Sequence, residues 1–276
     1  MSKPEHGQEV APLPDPPRDP DDHEAHSDVS GGLASRVLLD RDHATATKMY
    51  RPPLVVKVLY WLAFQAPFPY VRNEPSLQAA KARRTIASLM TKFWFGTDHV
   101  APTLDIRCDD KGCIFVTQLI EGQVPKDKRR ARAFLRKLTP LFQEVGLPTW
   151  QVLPWNPKAT GNLIETPDGS YKIIDLESGV VNPMMPIGQW IDAIKAGLIP
   201  VFDDVFVAKT RKYVENHRDE IEAALGPEGL RELEGATDEY QDCAEAWQKS
   251  ELRIWGRLLQ LLLKAGSVVV KPLRRA

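Results

Sequence analysis

Two oxygen-bearing side chains stand at the two ends of a short predicted hairpin, Asn162 at its start and Asp175 at its close. A turn signal at residues 167–170 separates the strand-like segments 162–165 and 171–176. A tight hairpin returns its ends to each other, so the amide oxygen and the carboxylate are expected to converge. Oxygen ligands suit Mg²⁺, which proteins commonly hold through one or two such groups together with substrate phosphates. The pair therefore predicts a site for magnesium and a phosphorylated ligand.

The window 155–178 that holds this pair resembles the protein-kinase-like superfamily, including its small-molecule kinases. Asn162 resembles the metal-binding Asn that ends the family's catalytic loop, and Asp175, followed by Leu176 and Glu177, resembles the Asp of its Asp-Phe-Gly element. The resemblance implies ATP and Mg²⁺ as ligands. It also implies an α+β, two-lobed protein-kinase-like fold with a small β-rich N-lobe and a helical C-lobe. Outside this window, residues 31–264 match the family in element order alone.

The family's strand lysine, which steadies the phosphates of ATP, has two candidates in this sequence. Lys48 lies in the strand-like segment 44–50, and Lys57 lies in the apolar segment 55–58. Lys48 is favoured over Lys57 because two predicted strands precede it in the chain and a predicted helix follows it. Glu74, just before that helix, is the nearest carboxylate for the ion pair that the family makes with this lysine. Gln78 is a weaker substitute.

Two further elements of a nucleotide site follow from the resemblance. The segment Gln118, Leu119 and Ile120 falls where the hinge between the lobes is expected, with its backbone groups meeting the adenine edge. The dipeptide at residues 31–32 stands where a phosphate-covering glycine loop is expected, but it lacks the Gly-x-Gly-x-x-Gly pattern. A flexible entry to the fold explains these two glycines equally well.

The sequence departs from the family at the general base. The position five residues before Asn162 is Pro157, where the family has an Asp, and a one-residue insertion would place Asn156 there. Neither side chain is a general base, so Asn156 and Lys158 are the candidates for groups near the acceptor. The sequence thus supports a phosphotransferase of unknown acceptor, or a catalytically impaired pseudokinase that binds nucleotide or a partner. An unrelated α+β domain, in which Asn162 and Asp175 only satisfy local backbone groups, is the remaining alternative.

The elements that must position these residues follow from turn signals and apolar periodicity. Strands are predicted at 36–39, 44–50, 103–107 and 113–120, and helices at 76–93, 129–145 and from 188 onward, with segments at 190–196, 205–225, 230–233 and 237–264. The apolar stretch 55–68 lies between the first two strands and the first helix. Arg83 and Arg84 are expected to face solvent or an acidic partner.

The domain organisation predicted from these elements has four parts. Residues 1–30 form a disordered, acidic and proline-rich tail, 31–122 the N-lobe, 123–264 the helical C-lobe, and 265–276 a basic tail. The basic amphipathic helix near the C-terminus is expected to close the helical core, with a peripheral membrane contact as the alternative.

Composition narrows the remaining possibilities. A formal net charge of −1 argues against a nucleic-acid partner, which requires a concentrated basic face. The acidic, proline-rich N-terminus predicts no secretory signal, and no apolar run is long enough to predict a transmembrane segment. These features predict a cytoplasmic protein, and the kinase resemblance implies a nucleotide and a small-molecule or protein acceptor as its partners. Cys108 and Cys113 flank a predicted hairpin turn and are expected to be free thiols.

Overall fold

The computed structural model describes residues 28–31, 35–64, 68–110, 112–176 and 205–251. Within these ranges the chain is a mixed α+β protein that combines a five-stranded antiparallel sheet, a two-stranded hairpin and five α-helices. The predicted helix at 190–196, residues 1–27 of the predicted tail and residues 252–276 at the C-terminus lie outside the described residues.

The five-stranded sheet places Lys48 on its central strand. Its strands are β1 (Asp28–Gly31), β2 (Ser35–Asp40), β3 (Thr45–Tyr50), β4 (Thr103–Asp109) and β5 (Gly112–Gln118), in the order β1-β2-β3-β5-β4. The β2–β3 and β4–β5 hairpins confirm the strand pairs predicted from the turn signals. Strand β1 includes the last three residues of the predicted tail, because it starts at Asp28 and pairs with β2 along its whole length.

Two of the five described helices begin and end at recognisable caps. The five helices are α1 (Leu54–Phe64), α2 (Glu74–Phe95), α3 (Lys128–Val145), α4 (Val207–Asn216) and α5 (Arg218–Glu251), the last with a kink at Gly226. Asn73 caps α2 by accepting the amide of Ser76, and Asp127 caps α3 by accepting two amides. Glycines in the left-handed conformation, Gly96 and Gly146, end both helices, as predicted for α3.

The second β-element is the predicted tight hairpin, made of β6 (Leu163–Glu165) and β7 (Tyr171–Ile173). Backbone bonds hold it on both sides. Gln123 exchanges two hydrogen bonds with Glu165 on β6, while Ile173 on β7 donates to His99 and accepts from Ala101. Gly122 permits the first contact, because a Cβ there would collide with the carbonyl oxygen of Glu165. The hairpin is thereby fixed to the segments that leave β5 and enter β4.

Helix α2 connects two apolar clusters. Its residues Leu77 and Ala80 pack with Tyr50 and Phe115 beneath the sheet. Further along, Ile86 and other residues of α2 join a larger cluster with α3, the β6–β7 hairpin, α4 and α5. α2 also packs along α5. The apolar stretch after β3 forms helix α1. Among the described residues, no helix is long and apolar enough to cross a membrane.

The expectation of free thiols at Cys108 and Cys113 is wrong. The two residues face each other across the β4–β5 hairpin and form a disulfide, with their Cα atoms 4.1 Å apart. Direct opposition in the register places the two thiols within bonding distance, which spacing along the chain alone does not establish. Cys243 on α5 is a free cysteine.

Candidate functional site

The candidate site is built around a contact between the sheet and the β6–β7 hairpin. The Nζ atom of Lys48 on β3 lies 3.0 Å from Oδ1 of Asp175, the second residue after β7. The side chains are 14% and 31% exposed, so the pair is partly shielded yet reached by solvent. The Lys48 ammonium also lies 5.4 Å from the centre of the Tyr50 ring. An ammonium group, which can bind phosphate, therefore contacts a carboxylate, which can bind magnesium, at a position that solvent reaches.

The hairpin brings Asn162 next to this pair through the backbone. Asn162 ends a short 3₁₀ turn just before β6, and Ile174 follows β7 directly. The amide of Ile174 donates to the carbonyl oxygen of Asn162 over 2.9 Å. Since Asp175 is the next residue, the main chain places the two predicted metal ligands on neighbouring segments.

The side chain of Asn162 is held in one orientation by Gln151. The Nδ2 atom of Asn162 donates to the Gln151 carbonyl oxygen at 3.0 Å and to Gln151 Oε1 at 2.7 Å. Both hydrogens of the amide are engaged, so the remaining polar atom of Asn162 is the oxygen Oδ1. Within the described ranges no hydrogen bond to that oxygen is formed. An amide fixed through its nitrogen presents its oxygen as a cation ligand.

Two buried arginines of α2 hold the backbone on either side of Asp175. Arg84 donates to the carbonyl oxygen of Ile174 at 3.2 Å and to that of Ala101 at 2.6 Å. Arg83 donates to the carbonyl oxygen of Leu176 at 3.0 Å and lies over the ring of Tyr240. The expectation that both arginines face solvent or an acidic partner is wrong, because both are almost completely buried. A guanidinium is tolerated there because carbonyl oxygens receive its hydrogens.

These contacts give the site a positive character. Among the described residues, two guanidinium groups from α2 and one ammonium from β3 contact the segment that carries Asp175. Cations of this kind favour an anionic ligand.

The other two predicted phosphate-site residues lie elsewhere. Lys57 is on α1, exposed, and lines a cavity beside Trp61 and Phe68. Glu74 is an exposed residue in the first turn of α2, where its charge favours the helix N-terminus. Of the two candidate lysines, the structure brings Lys48 to Asp175.

Two of the three predicted hinge residues donate their backbone amides to other parts of the fold. The amide of Gln118 donates to Pro102, and the amide of Leu119 donates to Ala44, at 2.9 and 2.8 Å. Both donors are committed to neighbouring strands. The amide of Ile120 has no partner among the described residues, so Ile120 is the donor of this segment that an adenine edge would meet.

The loop before Asn162 is braced by Asn156. Its Nδ2 atom donates to the carbonyl oxygen of Trp150 at 2.8 Å, and its Oδ1 atom accepts the amide of Lys158 at 3.0 Å. The side chain is buried, and these contacts indicate a structural role for Asn156. Lys158 is exposed, and the ring of Trp155, also exposed, packs edge-on against that of Trp150.

The oxygen atoms of Asn162 and Asp175 could supply only part of the coordination shell of a magnesium ion. Among the described residues, no group of three or more His, Cys, Asp or Glu side chains is arranged to hold a metal. One carboxylate and one oriented amide oxygen nevertheless match the protein share of a nucleotide-bound magnesium, whose other ligands are phosphates and water. Of the predicted glycine loop, Gly31 lies in β1 and Gly32 lies outside the described residues.

Sequence reasoning missed the three residues that hold the site in place, namely Gln151, Arg83 and Arg84. The two arginines fall on the inner face of α2, between apolar neighbours such as Ala80 and Ala87. That position in the helical pattern is the sequence signal for their burial. Gln151 carries no such signal. Comparison of the sequence with models of known protein families and with curated proteins gives no match.

Proposed function

We propose that this chain is a protein-kinase-like phosphotransferase that uses ATP and Mg²⁺ and acts on an acceptor not yet identified. The observation that carries the proposal is the 3.0 Å contact between Lys48 and Asp175. The kinase resemblance requires a lysine on the third strand and an aspartate after the metal-binding Asn, both at one site. Here Lys48 is on β3, and Asp175 is bracketed by backbone contacts that include Asn162.

Each residue has a role that its contacts support. Lys48 would bind the phosphates of ATP, while Asn162 and Asp175 would hold the magnesium that neutralises charge on them. Arg83 and Arg84 would keep the Asp175 segment in place, because both are buried and donate to the backbone carbonyls of Leu176 and Ile174 on either side of it. The carbonyl groups of the 118–120 segment and the amide of Ile120 would meet the base.

The acceptor would approach along the loop before Asn162. Lys158 is the exposed cation of that loop and would neutralise charge on the transferred phosphoryl group. Positioning and electrostatics supply most of phosphoryl-transfer catalysis, so turnover does not require a strong base. The acceptor is a small hydroxylated molecule or a protein.

A second candidate function is a nucleotide-binding pseudokinase that serves as a scaffold for a partner. The loop from 153 to 161 contains no Asp or Glu, and both polar atoms of the Asn156 amide are engaged in the loop itself. This loop therefore offers no side chain that could accept the proton of an acceptor hydroxyl.

Thermal unfolding with ATP, in the presence and absence of Mg²⁺, tests the proposal. We expect Mg²⁺-dependent stabilisation by ATP, since a ligand that binds the folded state raises the unfolding temperature. Lys48→Ala and Asp175→Asn should each remove most of this shift. Lys57→Ala, which changes an exposed lysine on α1, is the matched control and should keep it.

Release of ADP over hours then separates the two candidates. Slow turnover that Asp175→Asn abolishes supports the phosphotransferase, whereas stabilisation without turnover supports the pseudokinase. An unchanged ATP-dependent shift in both Lys48→Ala and Asp175→Asn would refute both, because neither residue would then hold the nucleotide or its metal.

A further inference from the structure

Helix α1 presents an apolar stripe to solvent. Leu54, Val55, Val58 and Trp61, here called the α1 patch, are 75%, 68%, 46% and 50% exposed. Their spacing of three, four and seven residues places them on one side of the helix. Scattered exposed apolar residues are normal on a protein surface, but a contiguous set on one helix face marks an interaction surface.

A cavity of about 600 Å³ lies beside the patch. Its apolar walls come from Val58 and Trp61 of the patch and from Phe68 and Val71 after α1. Lys57 and Arg72 contribute the charged part of its lining. The volume is in the range of small-ligand sites, and an apolar interior with cations at the edge suits an acyl chain with an anionic head.

The charge around the patch is positive. Between Asp42 and Glu74 the chain contains no Asp or Glu, and its cations there are Lys48, which pairs with Asp175, together with Arg51, Lys57 and Arg72. Arg51, Lys57 and Arg72 are exposed, and none of them forms an ion pair with another described residue. The whole chain has a formal net charge of −1, so this excess is local.

The composition of this surface matches the surface of an anionic membrane. Cations are attracted to such a surface, and apolar side chains insert at the level of the headgroups. Trp61 supplies an amphipathic ring of the kind that is enriched at membrane interfaces. A protein partner would bury the apolar stripe equally well, but it would also have to present acidic groups to the surrounding cations.

The sequence contains a second cationic segment, after the end of α5. Trp247, near the end of α5, belongs to the same apolar cluster as Phe68 and Tyr70. The sequence that follows Glu251 contains six Lys or Arg residues and no Asp or Glu. Stable membrane attachment usually needs two such signals.

We propose that the α1 patch and its cavity bind the surface of a membrane that contains anionic phospholipid. Val58 and Trp61 contact the acyl chains, and Lys57 and Arg72 contact the headgroup phosphates. This inference does not depend on the proposed nucleotide site, because none of these four residues belongs to it.

Co-sedimentation of the full chain with vesicles tests the inference. We expect binding to phosphatidylcholine vesicles with about one-third phosphatidylglycerol, and binding at least about tenfold weaker to pure phosphatidylcholine. The double variant Val58→Asp with Trp61→Asp should reduce binding to the level of neutral vesicles. The double variant Lys57→Glu with Arg72→Glu should weaken binding to anionic vesicles by about tenfold or more.

Matched controls distinguish the patch from the rest of the surface. Leu104→Asp replaces another exposed apolar residue, on β4, and Lys81→Glu replaces an exposed cation on α2. Both should bind vesicles as the unmodified protein does. Circular dichroism of every variant confirms folding. The charge-reversal pair tests the inference even if the apolar pair fails to fold, since Lys57 and Arg72 are exposed.

Two outcomes would overturn the inference. The first is equal vesicle binding by the unmodified protein and both patch variants. The second is absence of vesicle binding together with concentration-dependent dimers that Val58→Asp with Trp61→Asp abolishes, which would make the patch an interface between two copies of this chain.

Discussion

Lys48 and Asp175 are separated by 127 residues in the chain, yet their charged atoms lie 3.0 Å apart. One belongs to the central strand of the sheet and the other follows the β6–β7 hairpin, so the ion pair joins two separate β-elements. Because both side chains are partly exposed, solvent screens the pair and its contribution to stability is moderate.

A double-mutant cycle measures the coupling of this pair. Lys48→Met and Asp175→Asn should each lower the free energy of unfolding. The double variant should cost less than the sum of the two, by an interaction energy on the order of 1 kcal/mol. Urea unfolding of the four proteins gives this number. Lys57→Met combined with Asp175→Asn is the control and should show additive effects, and equal additivity in both cycles would contradict the contact.

Arg84 should be far more important for stability than its charge suggests. Arg84→Met leaves the carbonyl oxygens of Ile174 and Ala101 without their buried donor, and we expect a loss of about 2–4 kcal/mol in the free energy of unfolding. Arg84→Lys should also destabilise the protein, because an ammonium does not reproduce the planar fork that reaches both carbonyls.

Lys81→Met, an exposed cation on the same helix, is the control for Arg84 and should change stability by no more than about 0.5 kcal/mol. Chemical denaturation followed by circular dichroism compares the three variants. A loss from Arg84→Met as small as that of the control would show that the carbonyls find other partners.

Hairpins and helix ends could be predicted from the sequence where characteristic turn and cap residues mark them. The β2–β3, β4–β5 and β6–β7 hairpins follow from their turn residues, and the end of α3 follows from Gly146. The convergence of Lys48 with Asp175 was inferred from a resemblance, because spacing along the chain carries no information about contacts between distant segments.

What could not be predicted depends on partners far along the chain. Arg84 receives its carbonyl partner from Ile174, ninety residues away, and helical periodicity shows which face it occupies but not what it meets there. The apolar stretch that becomes α1 is short, and periodicity alone does not separate a short helix from a strand. The pairing of Cys108 with Cys113 depends on the register of β4 and β5, because a shift of one residue would separate the two thiols.

The three cysteines should differ in a thiol titration. Unreduced, denatured protein should react at one thiol, that of Cys243, and reduced protein at three. Cys108→Ser should release Cys113 and raise the unreduced count to two. Three reactive thiols in protein purified without reductant would contradict the disulfide.

Cys243 should react slowly in the folded protein. Burial raises the pKa of its thiol above the ordinary value, and the carboxylates of Glu239, Asp242 and Glu74 raise the pKa further. The thiolate is the reactive form, so alkylation at neutral pH should be slower than for free cysteine and should accelerate as pH rises. Mass spectrometry of timed iodoacetamide reactions follows this. A native rate equal to that of the denatured protein would show that Cys243 is neither buried nor perturbed.

His99 should make folding sensitive to mild acid. Its ring is buried between Phe95 and Phe134, and Nδ1 lies 2.6 Å from the carbonyl oxygen of Tyr171, to which it must donate. Burial lowers the pKa of His99 below 6.5, the Lys172 charge lowers it further, and the contact with Tyr171 offsets part of this effect. The folded protein therefore binds this proton less readily than the unfolded chain.

The sign of the pH dependence follows from that difference. The contribution of His99 is complete above pH 6.5 and is lost as pH falls below this value toward the lowered pKa, by at most about 1.4 kcal/mol per pH unit. His99→Asn keeps a donor for the Tyr171 carbonyl but cannot take up a proton. The stability advantage of the unmodified protein over His99→Asn should therefore shrink between about pH 7 and pH 5. Urea unfolding across this range measures the difference, and a difference that stays constant with pH would show that His99 is solvated or already charged in the folded state.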